Sequence, residues 1–349
     1  MKQLMPEWAP CEAVILAWPD KHTDWAPWLA DAQQTYLNLI DVINAAGAMV
    51  ILLCKDASMT RVKDMLTASQ RVLIVEASYN DTWVRDYAFL TCQSPDGPTP
   101  VEFSFNGWGQ KFDASKDNMI NKKVLASLCR KPLESSQVIA EGGALEIDDS
   151  GNLISTSLCL LNPKRNGAMS LSEYHDIFAD MLGCSSFTAF ENGHLDGDDT
   201  DGHIDTLVRF TPSQGIVIQA CDNNPEDTHY QGLCDLVAEC KTSFPEYQTF
   251  TLPLPNITNQ DGDRLPASYA NYLICNDSVL VPVYNQREDA EALRSIRNAY
   301  PGYRIVDVDC STLINQFGSL HCITMQVPRG TLNDEVVAAV NNGVCIYAP

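Results

Sequence analysis

Near the C-terminus, Phe317-Gly318-Ser319-Leu320-His321-Cys322-Ile323-Thr324-Met325-Gln326-Val327-Pro328 sets one cysteine between a glycine-containing loop and an apolar run that reads as a strand. A thiolate at such a strand mouth is a nucleophile, although a cysteine considered alone is more often a small buried apolar residue. His203 and Asp205 supply an acid and a base two residues apart, at what reads as the start of a strand. That spacing points both to one face, with Ile204 and Thr206 on the other. His321 adjoins Cys322, but neighbours on a strand face opposite ways, so it is not the expected base.

Three further clusters bear on chemistry. Asp81-Thr82-Trp83-Val84-Arg85-Asp86-Tyr87 places charges and an indole between apolar strands, and reads either as a site lip or as an exposed loop with a weak ion pair. Phe105-Asn106-Gly107-Trp108-Gly109-Gln110-Lys111-Phe112 flanks an indole with glycines, an aromatic wall or a core plug. In Glu141-Gly142-Gly143, a carboxylate precedes two glycines that would let a ligand or another backbone approach closely; a strand bulge is the plainer alternative. The acidic run Asp196, Asp198, Asp199, Asp201 resembles a calcium loop only superficially. With Gly202 as its sixth residue, positions one and twelve would be Gly197 and Val208, where Asp and Glu are needed. Metal binding by that run in some other geometry stays open.

The elements that must position these residues alternate. Between Ala13 and Glu76 the pattern is strand, helix, strand, helix, strand, with Asp24 and Pro27 suited to open a helix that carries Trp28, Leu29, Ala32, Tyr36, Leu39, Ile40 and Ile43. Strands are expected at 87–92, 101–105, 137–140, 153–157, 186–190, 206–210, 215–220, 249–254, 272–283, 304–308 and 322–327. Helices are expected at 117–129, 170–182, 225–240 and 289–300. Turn residues at Asp149-Ser150-Gly151-Asn152 and Cys275-Asn276-Asp277-Ser278 mark two hairpins. Strands outnumber helices and alternate with them, which predicts an α/β fold of small mixed modules in one domain over residues 1–349.

Composition narrows the partners. A net charge of −22, spread along 349 residues, repels phosphates and anionic membranes and suits a small cation. Thirteen cysteines without a C-x-x-C pair argue against a disulfide framework or a zinc knuckle. No apolar run is long enough to span a bilayer and no secretory signal opens the chain, so a soluble cytoplasmic protein is expected, with no nucleic-acid or membrane partner.

Taken together, Glu7-Trp8-Ala9-Pro10, Leu16-Ala17-Trp18-Pro19, Asp81 to Asp86, Glu141-Gly142-Gly143, Leu160-Leu161-Asn162-Pro163-Lys164-Arg165-Asn166, Asp199 to Asp205 and Gly318 to Gln326 resemble the agmatine deiminase branch of the peptidyl-arginine deiminase superfamily, over nearly the whole chain. The resemblance implies an α/β propeller of five ββαβ modules about a pseudo-fivefold axis with a central active site, and a homodimer. It implies Cys322 as nucleophile, His203 as general acid/base, Asp86 and Asp205 as guanidinium-binding carboxylates, Glu141 as a supporting carboxylate, and no metal or organic cofactor. Two positions depart from the family pattern: Tyr87-Ala88-Phe89 replaces a small residue followed by Gly-Pro, and Gln110 stands where a second glycine is common.

A guanidinium is resonance-stabilised and always protonated at neutral pH, so two carboxylates would orient it over the thiol, and its charge would favour the thiolate. Agmatine, free arginine and peptidyl-arginine differ only at the far end. The acidic run and overall charge favour the dication agmatine, with Trp83 or Trp108 covering its chain and Asp198 and Asp199 near its amine. An arginine or peptidyl-arginine deiminase is the alternative enzyme; a Cys-His amidase would not need the carboxylates, and an acidic polyamine-binding protein is the non-enzymatic alternative.

Overall fold

The computed structural model describes residues 2–347, which pack as two compact units, residues 2–142 with 322–347 and residues 143–321. Among the described residues no helix is long and apolar enough to cross a membrane.

The first unit holds two sheets. In the larger one the strands run in the order Met325–Pro328, Cys11–Ala17, Met49–Cys54, Val72–Glu76, Cys345–Tyr347. The first pair is antiparallel and the other pairings are parallel. Parallel neighbours need crossovers, supplied here by helices Leu29–Ala45 and Asp56–Met65. Every residue of Met49–Cys54 is buried, as expected of a strand covered on both faces. Helix Leu29–Ala45 buries Ala32, Tyr36, Leu39, Ile40 and Ile43 of the predicted stripe, whereas Trp28 and Leu29 are half-buried. Each buried Leu or Ile there contributes about 1.5–3 kcal/mol. Asp24 does not cap it: a 3-10 turn, Ala26–Trp28, with Pro27 in its first turn leads in, and neither it nor the helix has a side-chain cap bond. The second sheet orders Gln3–Leu4, Leu90–Ser94, Gly97–Ser104 and Glu134–Ile139. The helix expected over 117–129 is broken into Asp117–Met119, Ile120–Lys123 and Leu125–Leu128. Val124, at φ −129 and ψ −66, interrupts it.

The second unit contains three sheets of one pattern, in which an antiparallel pair is followed by a helix and a parallel third strand. They are Glu146–Ile147, Asn152–Thr156 and Ser186–Phe190; Val208–Thr211, Gly215–Gln219 and Gln248–Leu252; and Leu273–Cys275, Ser278–Val283 and Arg304–Asp309. Helices Leu171–Leu182, Tyr230–Ser243 and Asp289–Ala299 make the crossovers. Ser170 and Glu173 form a capping box at the first, satisfying backbone donors that the helix start leaves unpaired. Both predicted hairpins are present. The fold is mixed α/β, and the ββαβ pattern recurs in every sheet apart from added edge strands and the differently ordered opening of the five-stranded one.

Candidate active site

In the first unit, Cys322 lies in a turn three residues before its strand, not at the strand mouth, because Met325–Pro328 is the segment that pairs with Cys11–Ala17. The turn leaves Cys322 half-buried, whereas ten of the described cysteines are buried. Its carbonyl accepts the Arg85 backbone N–H at 3.1 Å, which sets it beside the short helix Val84–Tyr87 that carries Asp86. Arg85 itself is buried. Its guanidinium pairs with Glu7 at 3.0 Å and donates to Gln326, while Gln326 donates to Glu7 at 3.0 Å. This triangle ties Glu7, Arg85 and the C-terminal strand together, giving the Glu7-Trp8-Ala9-Pro10 block a structural task.

Asp86 is buried and accepts the Trp108 indole N–H at 2.8 Å. Trp108 reaches it from a turn in which Gly107, Trp108, Gly109 and Gln110 all have positive φ, 70, 56, 77 and 65 degrees. The bonds Gln110 N–H to Asn106 and Lys111 N–H to Gly107 make this one left-handed helical turn. Glycine is required at position 107, where a Cβ would sit 2.2 Å from the Phe112 carbonyl oxygen. Trp83 is buried against Trp25, ring centroids 5.7 Å apart. Glu141 is fully buried, and a Cβ on Gly142 would fall 2.1 Å from the Arg85 carbonyl oxygen. The glycine thus permits the close backbone approach expected of Glu141-Gly142.

In the second unit, His203 and Asp205 are both buried. They do not open a strand: His203 precedes the 3-10 turn Ile204–Thr206, and the strand begins at Val208. Period-two alternation therefore does not apply to them. The acidic run builds the loop that presents His203. Asp198 accepts from Thr200 N–H, the Thr200 hydroxyl and Gly202 N–H at 2.8, 2.6 and 2.7 Å, and the Thr200 hydroxyl accepts from His203 N–H at 3.0 Å. Asp201, at φ 69, is held by Arg165 at 2.7 Å and Asn162 at 2.9 Å. The Asn162 to Asn166 block is thus a clamp on this loop. Asp199 is exposed.

Asn271 and Arg209 escaped the sequence reading, and His321 was set aside there as the base. His321 Nδ1 lies 2.7 Å from Asp205 Oδ2, and Asn271 donates to the same oxygen at 3.2 Å while accepting the His321 N–H at 3.0 Å. Burial acts to raise the Asp205 pKa; the His321 hydrogen bond and the charges of His321, His203 and Arg209 outweigh it and hold the carboxyl below its ordinary value. Only the unexplained His-Cys adjacency signalled a task for His321. Arg209, fully buried, bonds Glu146 at 3.0 Å and the Ala270 and Tyr272 carbonyls at 3.0 and 2.8 Å, fixing the backbone on either side of Asn271. The two units thus carry a reachable thiol with buried carboxylates in one, and a buried imidazole with an ionised carboxylate in the other.

Residues 3–328 match the model of the Porphyromonas-type peptidyl-arginine deiminase family. A protein of Vibrio parahaemolyticus provisionally named agmatine deiminase is 30% identical, the alignment covering 92% of this chain and 95% of that one. A Porphyromonas gingivalis structure, provisionally described as an arginine deiminase, is 36% identical with a TM-score of 0.87, covering 95% of this chain and 100% of that one. An agmatine deiminase of C. jejuni, solved as a cysteine-to-serine variant with substrate bound, is 29% identical with a TM-score of 0.87, covering 95% and 98%.

Proposed function

The chain belongs to the Porphyromonas-type peptidyl-arginine deiminase family, and from that premise we propose that it hydrolyses agmatine to N-carbamoylputrescine and ammonia. The observation that carries this reading is the Arg85 N–H to Cys322 carbonyl bond, which seats a half-buried thiol beside the turn bearing Asp86. Asp86 and Asp205 grip the guanidinium nitrogens, and Glu141 adds negative charge behind them. The Cys322 thiolate attacks the guanidinium carbon, a C–S bond forms, and the C–N bond to one amino group breaks as His203 gives that nitrogen a proton. His203 then takes a proton from water, the hydroxide adds to the thiouronium carbon, and the C–S bond breaks to return the thiolate and release the ureido product. Neither a metal nor an organic cofactor enters these steps. The five-module propeller, closed as one domain, and a homodimer go with this reading.

Agmatine is favoured over arginine by charge. Arg85, Arg165 and Arg209, the buried arginines of these residue sets, are paired with Glu7, Asp201 and Glu146, and the chain carries −22 overall. A substrate carboxylate would meet a negative field. The family description and the Porphyromonas gingivalis relative support arginine or peptidyl-arginine as the second reading. The deciding experiment incubates the protein with agmatine, arginine and an arginine peptide and quantifies ureido product from each. Equal turnover of arginine would overturn the choice of agmatine. Mass spectrometry of quenched enzyme should show the thiouronium on Cys322, and full activity in Cys322→Ser would end the covalent scheme.

A further inference from the structure

Among the described residues three histidines are buried, and two of them, His203 and His321, belong to the chemistry above. The third, His229, directly precedes helix Tyr230–Ser243 and is 6% exposed. Both of its ring nitrogens are engaged. Nε2 accepts the Asp196 N–H at 2.8 Å, and Nδ1 lies 2.7 Å from Asp227 Oδ1. Since Nε2 is an acceptor, the ring hydrogen sits on Nδ1 and is donated to Asp227. Asp227 is fixed in turn. Its Oδ1 also accepts the His229 N–H at 3.1 Å, and its Oδ2 pairs with Arg264 at 3.1 Å, whose guanidinium donates to the Pro255 carbonyl at 3.0 Å. Burial acts to raise the Asp227 pKa; the bonds from His229 and Arg264 outweigh it and hold the carboxyl below its ordinary value. An ionised Asp227 thus selects the tautomer that leaves Nε2 open as an acceptor.

A side chain that served only its own helix would cap the first turn. His229 makes no such bond and aims its acceptor at a loop. Residues 191–203 hold no helix or strand, yet they end on His203, so side chains must fix their path. Glu239, on the same helix, accepts the Glu191 and Asn192 N–H groups at 3.2 and 3.0 Å where the loop begins. His229 takes the middle. The Asp198 N–H bonds the Leu195 carbonyl at 3.1 Å, closing a turn around Asp196. A Cβ on Gly197 would fall 2.5 Å from the Arg264 carbonyl oxygen, so the Arg264 segment lies directly against that turn. From there the bonds run from the Asp198 carboxylate to the Thr200 hydroxyl at 2.6 Å and from that hydroxyl to the His203 N–H at 3.0 Å.

We propose that His229 is a positioning residue for His203, holding the 195–198 turn through Nε2 and, by way of Asp198 and Thr200, the point at which the His203 backbone starts. This role rests on the deimination reading, in which His203 protonates the departing ammonia and deprotonates water. A displaced imidazole slows both proton transfers. Asp205 has supports of its own in His321 and Asn271, so the loss should fall on kcat and leave KM nearly unchanged.

The test compares the wild-type protein, His229→Gln, His229→Leu and Thr200→Val in two assays. One measures kcat and KM for ureido product from whichever of agmatine and arginine the wild type turns over. The other measures the rate at which 2-chloroacetamidine, an amidine electrophile, alkylates Cys322. Alkylation expels chloride, which needs no proton, so it reports the thiol without calling on His203 as an acid. The glutamine amide oxygen can accept the Asp196 N–H in place of Nε2, and His229→Gln should keep kcat within about threefold of wild type. His229→Leu and Thr200→Val should each lose roughly tenfold or more in kcat, with KM and the alkylation rate within about twofold. Thr200 is half-buried on the loop, and its variant keeps the test decisive if His229→Leu does not fold. An unchanged kcat in His229→Leu, or in Thr200→Val where the leucine variant does not fold, would overturn the positioning role and leave the deimination reading standing. So would an equal loss in His229→Gln, or a parallel fall of kcat and alkylation. Absence of ureido product from the wild-type protein with agmatine, arginine and an arginine peptide would bring down that reading, and the positioning role with it.

Discussion

His321 Nδ1 lies 2.7 Å from Asp205 Oδ2, so the residue adjoining Cys322 in the chain is committed to a carboxylate 116 positions earlier. For that bond the ring must donate from Nδ1 to an ionised carboxylate. Removing the donor in His321→Ala leaves burial to raise the Asp205 pKa. A carboxyl depressed in the folded state contributes stability above its unfolded pKa and loses it as pH falls through the folded value. The variant should lose part of that contribution, and the acid limb of its kcat/KM profile should move to higher pH, with a fall of about 10–100-fold at neutral pH. A profile recorded between about pH 4 and 8 checks this; an unmoved acid limb would mean that His321 does not set the ionisation of Asp205.

Trp108 and Asp86 make the corresponding pair in the first unit, where an indole N–H at 2.8 Å orients a buried carboxylate. Trp108→Phe keeps much of the ring and deletes the donor. Hydrogen bonds to charged groups contribute about 1.5–3 kcal/mol, so kcat/KM for guanidine substrates should drop by roughly an order of magnitude or more. Melting temperature should change little, because Phe105 and Phe112 still pack on the ring. Activity within about twofold of wild type would remove the orienting role from this bond.

How much of this was legible depended on whether a signal was local. The strand Ser186–Phe190 and the Cys275-Asn276-Asp277-Ser278 hairpin follow from alternation and turn chemistry, and both are found where expected. Cys345–Tyr347 was not visible, because three residues carry no period and the strand exists only through pairing with Val72–Glu76. The candidate residues were chosen by type, and the way the fold presents them was not legible. His203 and Asp205 sit at a 3-10 turn fixed by Asp198, Thr200 and Arg165, side-chain bonds that override any strand period. The pairing of His321 with Asp205 is a tertiary contact, and no spacing rule reaches across it.

Gln110 tests the left-handed turn directly. It is exposed, with φ at 65 degrees, where an L side chain is disfavoured by about 1–2 kcal/mol and glycine is not. Gln110→Gly relieves that strain and gives back part of the gain through the looser unfolded chain. A net stabilisation of up to about 1 kcal/mol is expected, read as a higher urea midpoint at constant slope. Gln110→Val, whose branched Cβ tolerates positive φ least, should be destabilised. A lower midpoint for the glycine variant would contradict the turn geometry that brings Trp108 onto Asp86.

Cys322 is one of thirteen cysteines, and selective labelling must distinguish it from the rest. Burial pushes Cys54, Cys92 and Cys129 each up to about 12, and raises Cys345, so these thiols hold almost no thiolate at neutral pH. Cys322 is half-buried and reachable, and a cation lying beside it favours its ionised form. Native protein treated with 2-chloroacetamidine, a guanidinium-like electrophile, should therefore be modified chiefly at Cys322, with peptide mapping as the readout. The neutral isostere 2-chloroacetamide should react at least about tenfold more slowly there, each rate being normalised to a free thiol, because it brings no charge to stabilise the thiolate. Agmatine should protect Cys322 from both reagents. Equal normalised rates would leave Cys322 as a nucleophile but remove substrate-assisted ionisation, and the protein would then have to generate its thiolate before the guanidinium arrives.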